Sequence, residues 1–252
     1  MKTAIITGAS AGMGQEFARH ALTIFPEIEC FWLIARREGK LRELAAELTG
    51  RQVACMALDL CDEASFDVLA EKLRDDAPEI VLLVNNAGCG YLGNVGELPT
   101  ELQTRMTKLN VTALTAVTNL CVPYMARGAR IVNVSSIASF CPNPRMTVYS
   151  STKAYVSSFS RGVREELREK GITATAVCPG PMDTEFIAVG GIKGRSKTFD
   201  VLPYCNPSSV AEGTLLSAKA GRAFYTPKAF YKFYRVLSKI TPQALMVKLT
   251  KT

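Results

Sequence analysis

The sequence predicts one doubly wound α/β domain: a mostly parallel, seven-stranded sheet flanked by helices, followed by a C-terminal helical extension. Two observations predict it. Short runs rich in β-branched and apolar residues alternate with helical stretches along most of the 252 residues, the rhythm of strands joined by crossover helices. No Pro/Gly/Ser-rich linker, low-complexity tract or internal repeat interrupts that rhythm, so a single domain is expected over residues 1–227, with a tail at 228–252.

The first strand is read at residues 2–7. Gly8 to Gly14 then form a glycine-rich turn opening a helix that runs to about Phe25. Further strands are read at 30–34, 52–58, 80–85, 130–135, 172–178 and 222–225. Helices fill the intervals near 38–49, 63–75, 100–126, 148–170 and 207–218. Residues 179–206, with three prolines and four glycines, read as a long irregular segment. Segments of that kind inside compact domains are usually lids.

Composition excludes several classes. Forty-eight percent of residues are hydrophobic and 21% charged, which does not suggest disorder. No apolar run is long enough for a membrane span, and Met1 leads directly into a strand rather than a signal peptide, so the expected location is cytoplasmic. The eight cysteines show no CxxC spacing and His20 is the single histidine. Reduced thiols and no metal site are therefore expected.

The turn Thr7-Gly8-Ala9-Ser10-Ala11-Gly12-Met13-Gly14 sits at the first strand-to-helix junction. Glycines there let the backbone approach a pyrophosphate, which the helix N-terminus then holds. This is the Rossmann-type arrangement. The second strand ends at Ala35-Arg36-Arg37, with no acid until Glu38. Arginines at that point pair with a 2′-phosphate, where an acid would accept from a ribose hydroxyl, so NADP is the expected cofactor. Asp59, closing the third strand, is placed to meet the adenine edge.

Tyr149 and Lys153 are four residues apart in Tyr149-Ser-Ser-Thr-Lys153, a spacing that puts both on one helix face. Ser136 ends the preceding apolar run Ile131-Val-Asn-Val-Ser-Ser136. An ammonium beside a phenol favours the phenolate and lowers a pKa that is otherwise near ~10, which suits the pair to acid-base work.

Taken together, these segments resemble the classical short-chain dehydrogenase/reductase family over nearly the whole chain. The matching motifs are Thr7-Gly8-x-x-x-Gly12-x-Gly14, Asn85-Asn86-Ala87-Gly88, Asn110 in Lys108-Leu-Asn-Val, Ser136, Tyr149-x-x-x-Lys153 and Pro179-Gly180-x-x-x-Thr184. The resemblance implies an NADP(H)-dependent oxidoreductase interconverting a ketone and a secondary alcohol. Tyr149 would be the proton donor, with Ser136 polarising the carbonyl oxygen. Lys153 would lower the tyrosine pKa and bind the nicotinamide ribose, and Asn110 would hold a proton-relaying water. It further implies that Ser10 and Arg36 contact the 2′-phosphate, that Met13 and Leu60 lie at the cofactor, and that Asn86, Ala87 and Gly88 run along it. Pro179, Gly180, Met182 and Thr184 would meet its nicotinamide end. Ala11 stands where some NADP-dependent relatives carry a basic side chain.

The expected substrate wall is apolar. Tyr91, Phe140, Cys141, Met146 and Phe186 are its candidates, together with Pro142, Ile187 and Val189. Such a lining suggests a steroid, bile-acid or lipid-like compound. A 3-ketoacyl reductase acting on carrier-bound or lipid substrates is the alternative enzyme, and a non-catalytic NADP-binding regulatory or membrane-attached scaffold is the alternative of another class.

Residues 193–252 carry 11 basic and 2 acidic side chains. Helical projection of 228–240 puts Lys228, Lys232, Arg235 and Lys239 on one face and Phe230, Phe233, Leu237 and Ile240 opposite. A second apolar stretch, Ala244-Leu-Met-Val247, precedes Lys248 and Lys251. Packing of the apolar face on the protein is favoured over peripheral contact with an anionic membrane. A homodimer through helices 100–126 and 148–170 follows by family analogy, the tail puts the usual tetramer in doubt, and no nucleic-acid partner is expected.

Overall fold

The computed structural model describes residues 1–192 and 194–250, with Lys197 described in its backbone alone. Lys251 of the basic tail lies outside the described residues. The nucleotide-binding half runs β1 (Lys2–Thr7), α1 (Met13–Ile24), β2 (Cys30–Ala35), α2 (Glu38–Glu47), β3 (Gln52–Ala57), α3 (Ala64–Asp76) and β4 (Glu79–Asn85). After it come α4 (Thr100–Thr107), α5 (Leu114–Cys121), β5 (Met125–Val134), α6 (Thr147–Glu166) and β6 (Thr173–Val177). The remainder is α7 (Glu185–Val189), α8 (Lys197–Val201), α9 (Pro207–Lys219), β7 (Phe224–Tyr225), α10 (Ala229–Ile240) and α11 (Gln243–Leu249).

All seven strands are parallel, in the order β3-β2-β1-β4-β5-β6-β7. Strand alternation sorts the core into two layers. Ala4, Ile6, Phe31 and Leu33 face α1, α2 and α9, where they meet Phe17, Leu41, Leu44 and Leu215. Ile5, Trp32 and Ile34 point the other way, onto Leu69 and Leu73 of α3 and Val117 of α5. Both faces of the sheet are covered, which is why its central strands read as continuous apolar runs. The chain winds outward in both directions from β1 and β4, so a crevice opens at their carboxyl ends.

The elements depart from the sequence reading in four places. The helix expected over 100–126 is broken by a π-helical turn at Lys108–Ala113. It then ends in the 3-10 turn Val122–Tyr124, where Pro123 offers no N–H. β5 starts at Met125 rather than 130, because its register against β4 slips between Ile80 and Leu82 with Gly128 at φ +89°. The lid is not wholly irregular, since it contains the short helices α7 and α8. The last strand shrinks to two residues.

The tail packs by a different face from the projected one. Tyr231 is completely buried and Tyr234 and Leu237 half-buried, whereas Phe230, Phe233 and Ile240 remain exposed. Arg235, expected among solvated cations, lays its guanidinium over the Phe224 ring, 4.3 Å from the centroid.

Candidate active site

Two glycines let the end of β1 close tightly against α1. Gly8 sits at φ +67°, and a Cβ there would lie 2.7 Å from the Asn86 amide nitrogen. A Cβ on Gly14 would lie 2.1 Å from the Gly8 carbonyl oxygen, so neither position accepts a side chain. The Thr7 hydroxyl accepts from the backbone N–H of Asn86 and of Ala87, both at 3.0 Å. The Asn86 amide donates back to the carbonyls of Thr7 and Gly8 at 3.0 and 3.2 Å. Thr7 and Gly14 thus build the cradle from behind, while Gly8, Ser10, Gly12, Met13, Asn86, Ala87 and Gly88 form its surface.

Arg36 and Arg37 line the outer end of the same cavity. Asp59 does not reach the cavity wall; its carboxylate accepts from the Cys61 N–H at 3.1 Å and from the Arg105 guanidinium at 3.0 Å. Partial burial opposes ionisation of Asp59, but these two donors outweigh it and hold the group below the usual carboxylate range. Leu60 is buried in the core beneath α3 and is also off the wall. Arg105 is on it. The sequence reading missed this residue, whose one signal is its place on the helix leading to Asn110.

Ser136, Tyr149, Lys153 and Asn110 converge where β5 ends against α6. The Ser136 hydroxyl accepts from the Ala138 N–H at 3.1 Å and faces the Tyr149 phenol. Lys153 Nζ donates to the Val134 carbonyl at 2.9 Å and lies 5.7 Å from the Tyr149 ring centre. The Ser135 hydroxyl donates to the Lys153 carbonyl at 2.9 Å, tying the helix to the strand end. Asn110 sits inside the π-helical turn, a distortion frequent at functional sites. Its amide donates to the Cys89 carbonyl at 2.8 Å and to the Thr152 hydroxyl at 3.0 Å, and its oxygen accepts from the Cys89 N–H at 2.9 Å. That side chain uses both its N–H donors, and accepts through its oxygen, in pinning the Gly88-Cys89 loop to α6.

Electrostatically, burial dominates the pair. It pushes the Tyr149 phenol up to about 12, with the Ser136 hydrogen bond pulling weakly the other way. It pushes the Lys153 ammonium down to about 8. The lowering of the phenol expected from a neighbouring cation is not the prevailing effect, because phenolate and ammonium are both removed from water.

On the substrate side, Tyr91, Met146 and Phe186 line the cavity, and the Tyr149 and Phe186 rings pack at 5.5 Å. Phe140 and Cys141 do not line it. The tail stands against them: Phe140 packs on Tyr234 at 5.8 Å, and Cys141 Sγ is 3.7 Å from the Thr250 hydroxyl. The lid is drawn in. Pro179, Gly180, Met182 and Thr184 line the cavity, with Thr184 close enough to meet a Cβ on Gly12 at 3.3 Å. The Tyr231 ring lies flush on Gly180, and its hydroxyl donates to the Pro203 carbonyl at 2.8 Å. Phe230, Tyr231, Tyr234, Leu249 and Thr250 complete the wall, so the tail is part of the site. The cavity measures about 700 Å³, within the range of small-molecule sites.

This arrangement places the glycine turn and Ser136, Tyr149 and Lys153 along one cavity. Residues 2–189 match the family model for short chain dehydrogenases, and the chain belongs to that family. Its fold is accordingly that of the family, a single Rossmann-like domain. Among curated relatives, a probable oxidoreductase, EphD of Mycobacterium tuberculosis, is 31% identical over 95% of this chain; the chain spans 43% of that relative's length. Among solved structures, a short-chain dehydrogenase from Sphingobium yanoikuyae in complex with NADPH is 28% identical, with a TM-score of 0.80 over 97% of this chain and 98% of the other. The bulky-bulky ketone specific alcohol dehydrogenase from Comamonas testosteroni is 26% identical, with a TM-score of 0.75 over 98% of this chain and 94% of the other. Among the described residues, no helix is long and apolar enough to cross a membrane, and no cluster of three or more His, Cys, Asp or Glu could hold a metal ion.

Proposed function

We propose that the chain is an NADP(H)-dependent oxidoreductase interconverting a hydrophobic ketone, of steroid, bile-acid or lipid-like character, and its secondary alcohol. One observation carries this reading. A single cavity runs from the glycine cradle past Ser136, Tyr149 and Lys153 to a wall of Phe186, Ile187, Phe199, Leu202, Tyr234 and Leu249, so a cofactor and an apolar substrate would share it across the acid-base pair.

The residues fit the cofactor. The Gly8 to Gly14 cradle is kept free of side chains by geometry, and the start of α1 offers backbone N–H groups to a pyrophosphate. Ser10, Arg36 and Arg37 would hold a 2′-phosphate. Asp59 would serve the adenine end only through Arg105. When bound, the nicotinamide supplies the hydride.

The chain's own residues supply position and protons. Tyr149 stays protonated well above neutrality and is the acid that gives its proton to the carbonyl oxygen, which Ser136 polarises. Lys153, its pKa pushed down to about 8 by burial, steadies the phenolate once it forms. Asn110 positions the loop beside the nicotinamide by holding Cys89. A homodimer through the outer faces of α4 to α6 belongs to the same proposal, and light scattering of the purified chain tests it.

Steroid, bile-acid, acyl and sugar ketones would be screened by loss of NADPH absorbance. The expected result is turnover of bulky apolar ketones, abolished in Tyr149→Phe with NADPH binding retained. Turnover confined to sugar ketones, or an active Tyr149→Phe, contradicts the reading.

A further inference from the structure

Tail side chains turned away from the protein form a second surface. Phe230, Phe233, Val236 and Ile240 recur at three- and four-residue steps along α10, each between half and three-quarters exposed, so they share one outward face. Leu245 and Leu249 continue the apolar surface on α11 and are exposed to a similar degree. Lys228, Lys232, Lys239 and Lys248 are exposed on the same segment, and no acidic residue occurs after Glu212. Single exposed apolar residues are ordinary. Six on two short consecutive helices, among cations only, is the composition of a helix that lies in a lipid interface.

This surface adjoins the cavity. Phe230 and Leu249 are exposed yet also line the cavity, as does the exposed Val189 of the lid. The mouth of the cavity therefore opens beside the apolar face.

We propose that this face docks on an anionic lipid bilayer and that the cavity takes its substrate from that surface. Charge argues for the occupant. A second copy would bring another set of lysines close to the first, with no acidic residue after Glu212 on either copy to offset them. A bilayer with acidic headgroups accommodates both features: the aromatic and aliphatic side chains enter the boundary of the acyl region, and the lysines meet headgroup anions. Substrate uptake from the bilayer rests on the reading of the cavity as a hydrophobic-ketone site, whereas docking does not.

The test is co-sedimentation of the full chain with vesicles of phosphatidylcholine alone and of phosphatidylcholine mixed with phosphatidylserine, at low and high salt. The chain should pellet with the mixed vesicles, remain in solution with the neutral ones, and be released by salt. Phe233→Ser with Ile240→Ser, and separately Lys232→Glu with Lys239→Glu, should each weaken partitioning at least about tenfold while leaving the melting temperature and NADPH binding unchanged. No sedimentation, or partitioning unaltered in both double variants, overturns the proposal. So does a concentration-dependent dimer lost in the Phe233/Ile240 variant without any vesicle binding, which would assign the face to a second copy. Uptake is measured separately, as turnover of a ketone dissolved in the vesicles. It should rise with anionic lipid for the wild type and not for the Phe233/Ile240 variant, and an equal rise in both refutes uptake from the bilayer. Vesicle binding without turnover of any ketone counts instead against the ketone reading.

Discussion

The guanidinium of Arg37 holds the carboxylate of Glu185 with two nitrogens, at 2.8 and 3.1 Å, while one of them also lies 3.2 Å from the Ser10 hydroxyl. Glu185 opens the first lid helix. A lid carboxylate therefore occupies the cation that the proposed function gives to a 2′-phosphate. The forked geometry suits a phosphate equally well.

Glu185→Gln should tighten binding of 2′,5′-ADP about three- to fivefold, a modest gain because the pair is solvent-exposed and such pairs are worth roughly 0–1 kcal/mol. Binding of 5′-AMP should not change. Calorimetry with the two half-cofactors checks this, and equal effects on both would exclude Glu185 from phosphate discrimination.

Lys153 makes stability and activity oppose each other. In the fold it loses its proton near 8, whereas in the unfolded chain it keeps it up to its ordinary value of 10.5. Below about 8 the fold carries the full cost of a buried ammonium, and stability rises with pH between the two values because the unfolded chain then holds the extra proton. Lys153→Met should raise the melting temperature of the cofactor-free protein near neutrality by an amount on the order of 1–3 kcal/mol in stability, with the gain shrinking toward pH 10.5, and it should abolish turnover. A gain independent of pH contradicts the buried-charge account.

Gly90 is wedged beneath the acid-base pair. An added Cβ would lie 2.6 Å from the Phe186 ring and 2.8 Å from the Tyr149 ring, so Gly90→Ala must displace one of them. Stability should fall by about 1–3 kcal/mol, and kcat should drop more than tenfold if Tyr149 moves, since a misplacement of ~1 Å can cost about a hundredfold. Stopped-flow hydride transfer measured beside a thermal melt separates the two effects.

Tyr234 is the tail's contact with both the cavity and Phe140. Tyr234→Ala should raise KM for bulky ketones severalfold while leaving NADPH affinity unchanged. An altered NADPH affinity would show that the tail shapes the cofactor end instead.

What could be read from the sequence was local. The continuous apolar runs of β1 and β2, the glycine turn at residues 8–14, and the four-residue spacing of Tyr149 and Lys153 each depend on neighbours within one or two turns of chain. Their geometry follows from backbone sterics. The break in the 100–126 helix was partly visible in Pro123, but the π turn around Asn110 was not, because it is fixed by bonds to Cys89 and Thr152 from other elements.

By itself, then, the sequence determined the α/β domain, the glycine turn at its first strand-to-helix junction and the helical spacing that sets Tyr149 beside Lys153. Only the tertiary structure decided that Phe140 and Cys141 stand behind the tail, that Tyr234 and Thr250 face the cavity, and that Glu185 rests on Arg37. It also decided that burial, not the neighbouring cation, governs Tyr149. Those outcomes join residues as far apart as Arg37 and Glu185, 148 positions along the chain. Desolvation is likewise a property of everything packed around a group, which no spacing of residues encodes.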